Sequence, residues 1–439
     1  MINFIFISFL ILQIETLPSP VINRNSFELL SNSRYSFHSG FSSNLSNQIL
    51  SNILWAKAKA PIIGSYREIY VAKPNNLYLY NPENHTLNLH LTGNRRSNSN
   101  SAFEIGVATE RYEEAGFIIQ LGLLAATSFW DSLSNAVSCP MQSATNYANN
   151  NWSPIHPIRL VNVYGFSQRR GIDTTNIAIS SDSSLPRPVI YQHDTFEILI
   201  RDLSFDTIFL PSPLSIEKIS QILWAGYGVT PHMTANNRRG LTVPSAIANY
   251  YLTQKIYLVN EYGVYRYHNR LPPGTNLTTA DHRIEVIVNE DQRSALRNAI
   301  PRIPQTAPVY IIICVGDTSS NYHLLEAGFV GIQMLLQAKS LNLSSSLTLP
   351  LLPNERNLIR EVLSLPSSDF PVIIFSCGEK ISEIKEGKKV KKESFGRFKI
   401  YDFLGRKILE TNKPIDASRL KKGVYFILYE NLWRKIVVN

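Results

Sequence analysis

Arg238-Arg-Gly-Leu-Thr-Val-Pro-Ser-Ala-Ile-Ala-Asn-Tyr-Tyr-Leu-Thr-Gln-Lys-Ile-Tyr-Leu-Val259, followed by Gly263-Val-Tyr-Arg-Tyr267, is the stretch on which the reading of this chain turns. A basic pair leads into a Pro-Ser-Ala turn, then a run rich in β-branched and aromatic residues, then a second short strand. Small residues after Pro244 leave backbone N–H groups open to a flat ligand. Upstream, an amphipathic stretch runs from Leu214-Ser215 to Ile222-Leu-Trp-Ala-Gly226. Downstream, Leu325-Glu-Ala-Gly-Phe-Val-Gly-Ile-Gln333 opens a long helix whose small residues would let another helix backbone approach closely.

The 439 residues leave room for about two or three domains, and 44% hydrophobic with 18% charged residues is a globular composition. The net charge of +9 is partly one local run, Lys380, Lys385, Lys388, Lys389, Lys391 and Lys392. Such a run reads as a solvated linker over 381–393, so no nucleic-acid partner is expected. Cys139, Cys314 and Cys377 fit no metal-ligand spacing, and the last two sit in apolar runs, as buried small hydrophobes do. No metal site is expected.

Residues 25–175 repeat the plan of 185–380. Ile53-Leu-Trp-Ala56 echoes Ile222-Leu-Trp-Ala225, and Glu68-Ile-Tyr-Val-Ala72 echoes Lys255-Ile-Tyr-Leu-Val259. Leu77-Tyr-Leu-Tyr80 echoes Val264-Tyr-Arg-Tyr267, and Thr86-Leu-Asn-Leu-His-Leu91 echoes His282-Arg-Ile-Glu-Val-Ile287. Glu114-Ala-Gly-Phe117 echoes Glu326-Ala-Gly-Phe329, and Pro157-Ile-Arg-Leu-Val-Asn-Val-Tyr-Gly165 echoes Pro371-Val-Ile-Ile-Phe-Ser-Cys-Gly378. Echoes in one order point to an internal duplication. Each half reads as helix, three strands, long helix, strand: an α+β fold with a mainly antiparallel sheet.

The two ends differ from this plan. Residues 2–14 form an apolar block too short to span a bilayer, which fits the h-region of a signal peptide over 1–20 or else a buried first strand. No integral membrane segment is expected in the mature protein. Residues 394–439 carry Tyr401-Asp-Phe-Leu-Gly-Arg406, Gly423-Val-Tyr-Phe426 and the terminus Arg434-Lys-Ile-Val-Val-Asn439. Strands around these turns give a small C-terminal β-sandwich.

The stretch around Pro244-Ser245-Ala246, with its flanking helices, resembles the flavin-contacting segment of the nitroreductase superfamily, in particular its SagB-type azoline dehydrogenase branch. The tail resembles the C-terminal sorting domain of type IX secretion substrates. The first resemblance implies FMN as cofactor, held where two nitroreductase-like halves pair as an intramolecular pseudo-dimer. The second implies a secreted or cell-surface protein that engages the type IX secretion machinery.

The resemblance also distributes the site. The family's phosphate loop matches Arg34-Tyr-Ser-Phe-His38, which implies phosphate contacts from Arg34, Ser36 and His38, with Arg169 and Arg170 after the last strand of that half. The corresponding stretch of the second half, Asp202-Leu-Ser-Phe-Asp206, places carboxylates where a phosphate would go. The ring-side residues show the reverse: Arg239, Pro244, Ser245 and Ala246 are present in the second half and have no counterpart after Lys57 in the first. One composite site is therefore implied. Tyr250 aligns with a family tyrosine and is the candidate proton donor, with a packed aromatic at a strand edge as the other reading. Ile247 and Tyr251 depart from the family's Gly and Pro.

Two functions follow. One is an exported FMN oxidoreductase acting on a small-molecule or peptide-borne substrate. The other is a non-catalytic binding protein that keeps the nitroreductase fold, and it predicts a filled or acidic pocket at the flavin position.

Overall fold

A computed structural model describes residues 14–22, 25–130, 135–168, 171–175, 177, 179, 184–190, 194–234, 238–270, 280–380, 398–402, 406–411, 423–429 and 432–438. The chain divides into two compact units. The first comprises Met1–Asn176, Ile190–Leu203 and Thr230–Ala248. The second comprises Ile177–Val189, Ser204–Val229 and Asn249–Asn439. The sequence halves are thus not the structural units. The segment carrying Arg239, Pro244, Ser245 and Ala246 belongs with the first unit, although the repeat assigns it to the second half.

The first unit is built on an antiparallel sheet ordered Ile14–Thr16, Thr86–Thr92, Asn76–Asn81, Arg67–Ala72, Phe103–Thr109, Ile158–Phe166, Ala136–Met141. The helix Asn47–Ala58 packs on the long helix Tyr112–Ser128. The sheet of the second unit runs Ala280–Val288, Gly263–Arg270, Ile256–Asn260, Val309–Val315, Phe370–Glu379, Leu343–Thr348. There the helix Ile216–Tyr227 packs on Asn321–Ser340. Apart from the edge strand Ile14–Thr16, the two sheets follow the same order. Each has one central strand that the three-strand reading missed, Phe103–Thr109 and Val309–Val315. Both are buried along their whole length, so they lack the alternation that marks a half-exposed strand.

The two first helices start in the same way. Ser46 accepts from Ile49 N at 3.4 Å and Ser215 accepts from Lys218 N at 3.5 Å, each satisfying a free N–H of the first turn. A strap crosses each helix and is tied to it twice. Asn52 exchanges both bonds with the Val21 backbone (3.1 and 2.7 Å), and Gln221 does the same with Val189 (2.9 and 3.0 Å). Beside it Ser51 Oγ donates to Pro18 O at 2.5 Å and lies 2.7 Å from His85 Nε2, whose Nδ1 is 2.8 Å from Tyr80 Oη. In the second unit Ser220, Pro186, His282 and Tyr267 repeat this with 2.5, 2.7 and 2.9 Å. Only the neutral ring with its proton on Nε2 satisfies every group: Tyr to His, His to Ser, Ser to the carbonyl. Burial accordingly holds His282 down at about 4 and lowers His85. The structure pairs His85 with His282, one residue from the Thr86–His282 alignment, and such a slip would turn every side chain to the wrong face.

At the helix pair the two units differ reciprocally. Lys57 on one helix faces Gly122 on the other, where a Cβ would stand 2.4 Å from Lys57 Cε. In the second unit the glycine is on the first helix, and a Cβ at Gly226 would stand 2.4 Å from Met334 Cε. A long side chain fills each contact from opposite sides.

The C-terminal segment shows, among the described residues, one four-stranded antiparallel sheet ordered Lys407–Thr411, Phe398–Asp402, Gly423–Tyr429, Leu432–Val438. The Lys-rich linker and residues 1–13 of the apolar N-terminal block lie outside the described residues. No helix among the described residues is long and apolar enough to cross a membrane.

Candidate functional site

The first unit brings Arg34 against the backbone that leads into the Pro-Ser turn. Ser26 caps the short helix Phe27–Ser33, and the helix stops at Arg34, where the backbone turns extended (φ −57°, ψ 128°). Arg34 is 2% exposed. Nε donates to Thr242 O at 3.0 Å, Nη2 to Leu241 O at 2.9 Å, and Nη1 to Ser36 Oγ at 3.4 Å. Gln120 of the long helix donates to the same Thr242 carbonyl at 3.3 Å. Its Oε1 is buried and has no hydrogen-bond partner among the described residues. Tyr35 meets His232 edge-on at 5.2 Å between ring centres, so the 230–248 segment is fastened at both ends of this contact.

Ser36 is half-buried and bridges to Ser138, next to Cys139. His38 is exposed, with Nδ1 3.5 Å from Cys139 Sγ. Burial pushes that thiol up to about 12, against a smaller opposing pull from Arg34, so it stays protonated at neutral pH. All three cysteines are buried and unbridged. Arg239 is half-buried and donates through Nη1 to Pro231 O, while Arg238 is exposed and donates to Ala248 O at 3.3 Å. Pro244 is buried, Ser245 and Ala246 are half-buried, and Ser245 O accepts from Ala248 N at 3.1 Å. Arg169 and Arg170 lie outside the described residues.

Tyr250 falls in the second unit. It is 5% exposed, and the Arg270 guanidinium sits 4.3 Å from its ring centre, the arrangement of a packed aromatic under a cation. Nearby, Tyr227 Oη donates to Glu326 Oε1, and Leu252 N donates to Tyr227 Oη at 3.0 Å. Burial and the Glu326 carboxylate raise the phenol well above its ordinary range. Glu114, the counterpart of Glu326, accepts from Gly64 N at 2.7 Å and pairs with Arg67 at 2.7 Å. The two glutamates therefore do one job, fixing the backbone after the first helix. Sequence reading noted both but gave them no role.

The acidic pair of the second half is not one cluster. Asp202 ends the helix Phe196–Arg201 in the first unit, whereas Asp206 belongs to the second. Asp206 accepts from Lys339 Nζ at 3.1 Å and from Ser345 N at 2.9 Å. Its charge is compensated locally, contrary to the expectation that both carboxylates stand open to a phosphate. Among the described residues no group of His, Cys, Asp and Glu is arranged to hold a metal ion.

The nitroreductase family model matches residues 208–379. A protein of Methanocaldococcus jannaschii named as a nitroreductase is 31% identical over 189 residues, which span 39% of this chain and 85% of that protein. A solved structure from Anabaena variabilis, also named as a nitroreductase, superposes with a TM-score of 0.54 at 12% identity and covers 82% of this chain and 93% of its own. An FMN-dependent nitroreductase from Clostridium difficile covers 45% of this chain and 91% of its own, with a TM-score of 0.27 at 17% identity. The Anabaena likeness speaks for the fold, and the archaeal relative, matched over most of its length, for descent: the chain belongs to the nitroreductase family of oxidoreductases.

Proposed function

We propose that this protein is an exported FMN-dependent oxidoreductase with one flavin site, assembled in the first unit from residues of both sequence repeats. The observation that carries this is the pair of bonds from Arg34 to the carbonyls of Leu241 and Thr242, which join the phosphate-loop segment to the Pro-Ser segment within one unit. Tandem duplication of a nitroreductase domain is supported by the shared sheet order and by the twice-built Ser-His-Tyr ties. The paired halves expected from the resemblance belong to the same proposal.

The residues present fit the cofactor. Arg34 Nη1, Ser36 Oγ and His38 would hold the phosphate, with Arg169 and Arg170 assigned there by sequence, and Arg239 would lie on the ring side. The orphaned Gln120 Oε1 marks a buried polar place that a ligand donor would satisfy. Backbone N–H groups at Ser245 and Ala246 would donate to an electron-rich ring edge. FMN, when bound, supplies the hydride chemistry. The chain's task is to orient it and to keep the Arg34 side dry: at 2% exposure, the Arg34 donors act with little competition from water. Tyr250, which belongs to the second unit, is left out of this assignment.

One observation favours the binding-protein reading: two of the three Arg34 nitrogens already bond main-chain carbonyls. The two readings part on His38, which is exposed and, among the described residues, makes no side-chain bond closer than its 3.5 Å thiol contact. In the flavin reading, His38→Ala and Arg34→Ala each weaken FMN binding by about tenfold to a hundredfold in titration calorimetry, while Arg201→Ala leaves it unchanged. Equal effects at Arg34 and Arg201 would refute the composite site, and no binding to the unaltered protein would leave the binding-protein reading.

A further inference from the structure

Ile247 directly follows the Pro244-Ser245-Ala246 turn and is 81% exposed. Its backbone is left-handed (φ 55°, ψ 25°), as is that of Ala248 (φ 52°). For a β-branched residue this conformation is an outlier, because its Cβ substituents crowd the neighbouring carbonyl. Glycine fits there without strain, and burial offers Ile247 no compensation, since most of its surface faces outward. The turn is held in place regardless: Ala248 N bonds Ser245 O at 3.1 Å, and Arg238 reaches across to Ala248 O at 3.3 Å. A strained position held by hydrogen bonds on its flanks is of the kind that gathers at ligand-contacting surfaces, where the surrounding structure over-determines it.

We infer that Ile247 is the specificity-determining side chain of this site, and that it selects substrates offering an uncharged apolar face at the Pro-Ser turn. The inference rests on the flavin reading above and assigns the substrate class. Ile247 would give up water-exposed surface only when such a substrate lies against it, and burying about half of an isoleucine side chain corresponds to roughly a tenfold gain in affinity. Arg238 acts as a positioning residue through the Ala248 carbonyl. A small hydrophilic acceptor would gain nothing from this contact.

The test uses the full-length protein, reduced with dithionite and reoxidised either by menadione, apolar and uncharged, or by ferricyanide, a small anion. Ile247→Gly should raise the half-saturating menadione concentration about tenfold and leave ferricyanide unchanged, with an equal or higher melting temperature because the strain is relieved. Ile247→Met, which keeps an apolar side chain, should stay within about threefold of the unaltered protein for menadione. An unchanged menadione response in Ile247→Gly overturns the inference, and so does a lowered melting temperature, which would make Ile247 a packing residue. If the purified protein takes up no flavin, the oxidoreductase reading fails on its own. The same variants then decide the matter through menadione binding, measured by tryptophan fluorescence quenching, and an unaltered Kd in Ile247→Gly overturns it.

Discussion

Lys57 offers the sharpest test of the packing described for the first unit. It is 0% exposed on the helix Asn47–Ala58, and its Nζ has no hydrogen-bond partner among the described residues. Tyr164 lies close by: a Cβ at Gly122 would stand 2.8 Å from both Lys57 Nζ and Tyr164 Oη, and Nζ lies 5.9 Å from that ring centre. Burial without an anion lowers its pKa from 10.5 to about 7. The folded state therefore holds the neutral amine over a range where the unfolded chain holds the ammonium. The contribution of Lys57 to stability is greatest above 10.5, falls as pH drops from 10.5 towards 7, and levels off below. A shift of about 3.5 units at ~1.36 kcal/mol each gives about 5 kcal/mol as the full span, of which about 4 kcal/mol is already lost at pH 7. Lys57→Met removes the amine and keeps the length, as Met334 does at the mirrored contact. Urea midpoints of both proteins at pH 6.5, 8 and 9.5 isolate the effect, since all other groups titrate alike. The variant should be several kcal/mol more stable at pH 6.5, with the gap closing by roughly 1 kcal/mol per pH unit above 7. Parallel profiles, or a variant less stable at pH 6.5, would refute a buried neutral lysine.

Other outcomes follow from the same structure. The double change Lys57→Gly with Gly122→Met rebuilds the contact of the second unit, so it should be more stable than Gly122→Met alone, where the new side chain meets Lys57; thermal melts of the two variants compare them. Ser220→Ala should cost about 1–3 kcal/mol by leaving the Pro186 carbonyl and His282 Nε2 without their shared partner, measured by denaturant unfolding. Because His282 is held at about 4, below the ordinary 6.5, that unit should lose stability as pH falls from 6.5 towards 4, by up to about 3 kcal/mol; His282→Asn should flatten the acid limb. Arg67→Met leaves Glu114 buried without its cation and should destabilise by about 3–5 kcal/mol in the same assay. Removing residues 394–439 should hold the protein in the periplasm of a type IX host, as immunoblots of cell fractions would show, and unchanged export would defeat the proposal that the tail is a sorting domain.

Much of the fold could be read from the residues. The alternating strands at 67–72 and 256–260 and the Glu-Ala-Gly-Phe helix openings are local patterns, and local patterns survive in sequence. The strand Phe103–Thr109 escaped because a strand buried on both faces, with Gly106 at its centre, shows no alternation. The Ser51-His85-Tyr80 tie escaped because its members come from a helix, a turn and a strand, and only the folded register brings them together. The Arg34 bonds to Leu241 and Thr242 span more than 200 residues to carbonyls, which carry no side-chain signature at all. That the 230–248 segment joins the first unit could not be read from the echoes between 25–175 and 185–380, which assign it to the second half. Ile247 shows the reverse case. Its departure from the family's glycine was visible in sequence, but only its left-handed backbone and exposure give that departure a meaning.

The central claim is that one flavin site is made from residues of both repeats, and the ratio of FMN to protein tests it most directly. FMN released by heat from protein reconstituted at saturating cofactor and freed of excess should equal one per chain, and should fall well below one in His38→Ala under the same wash. Two per chain, or one per chain in both the unaltered protein and the variants His38→Ala and Arg34→Ala, would contradict the account.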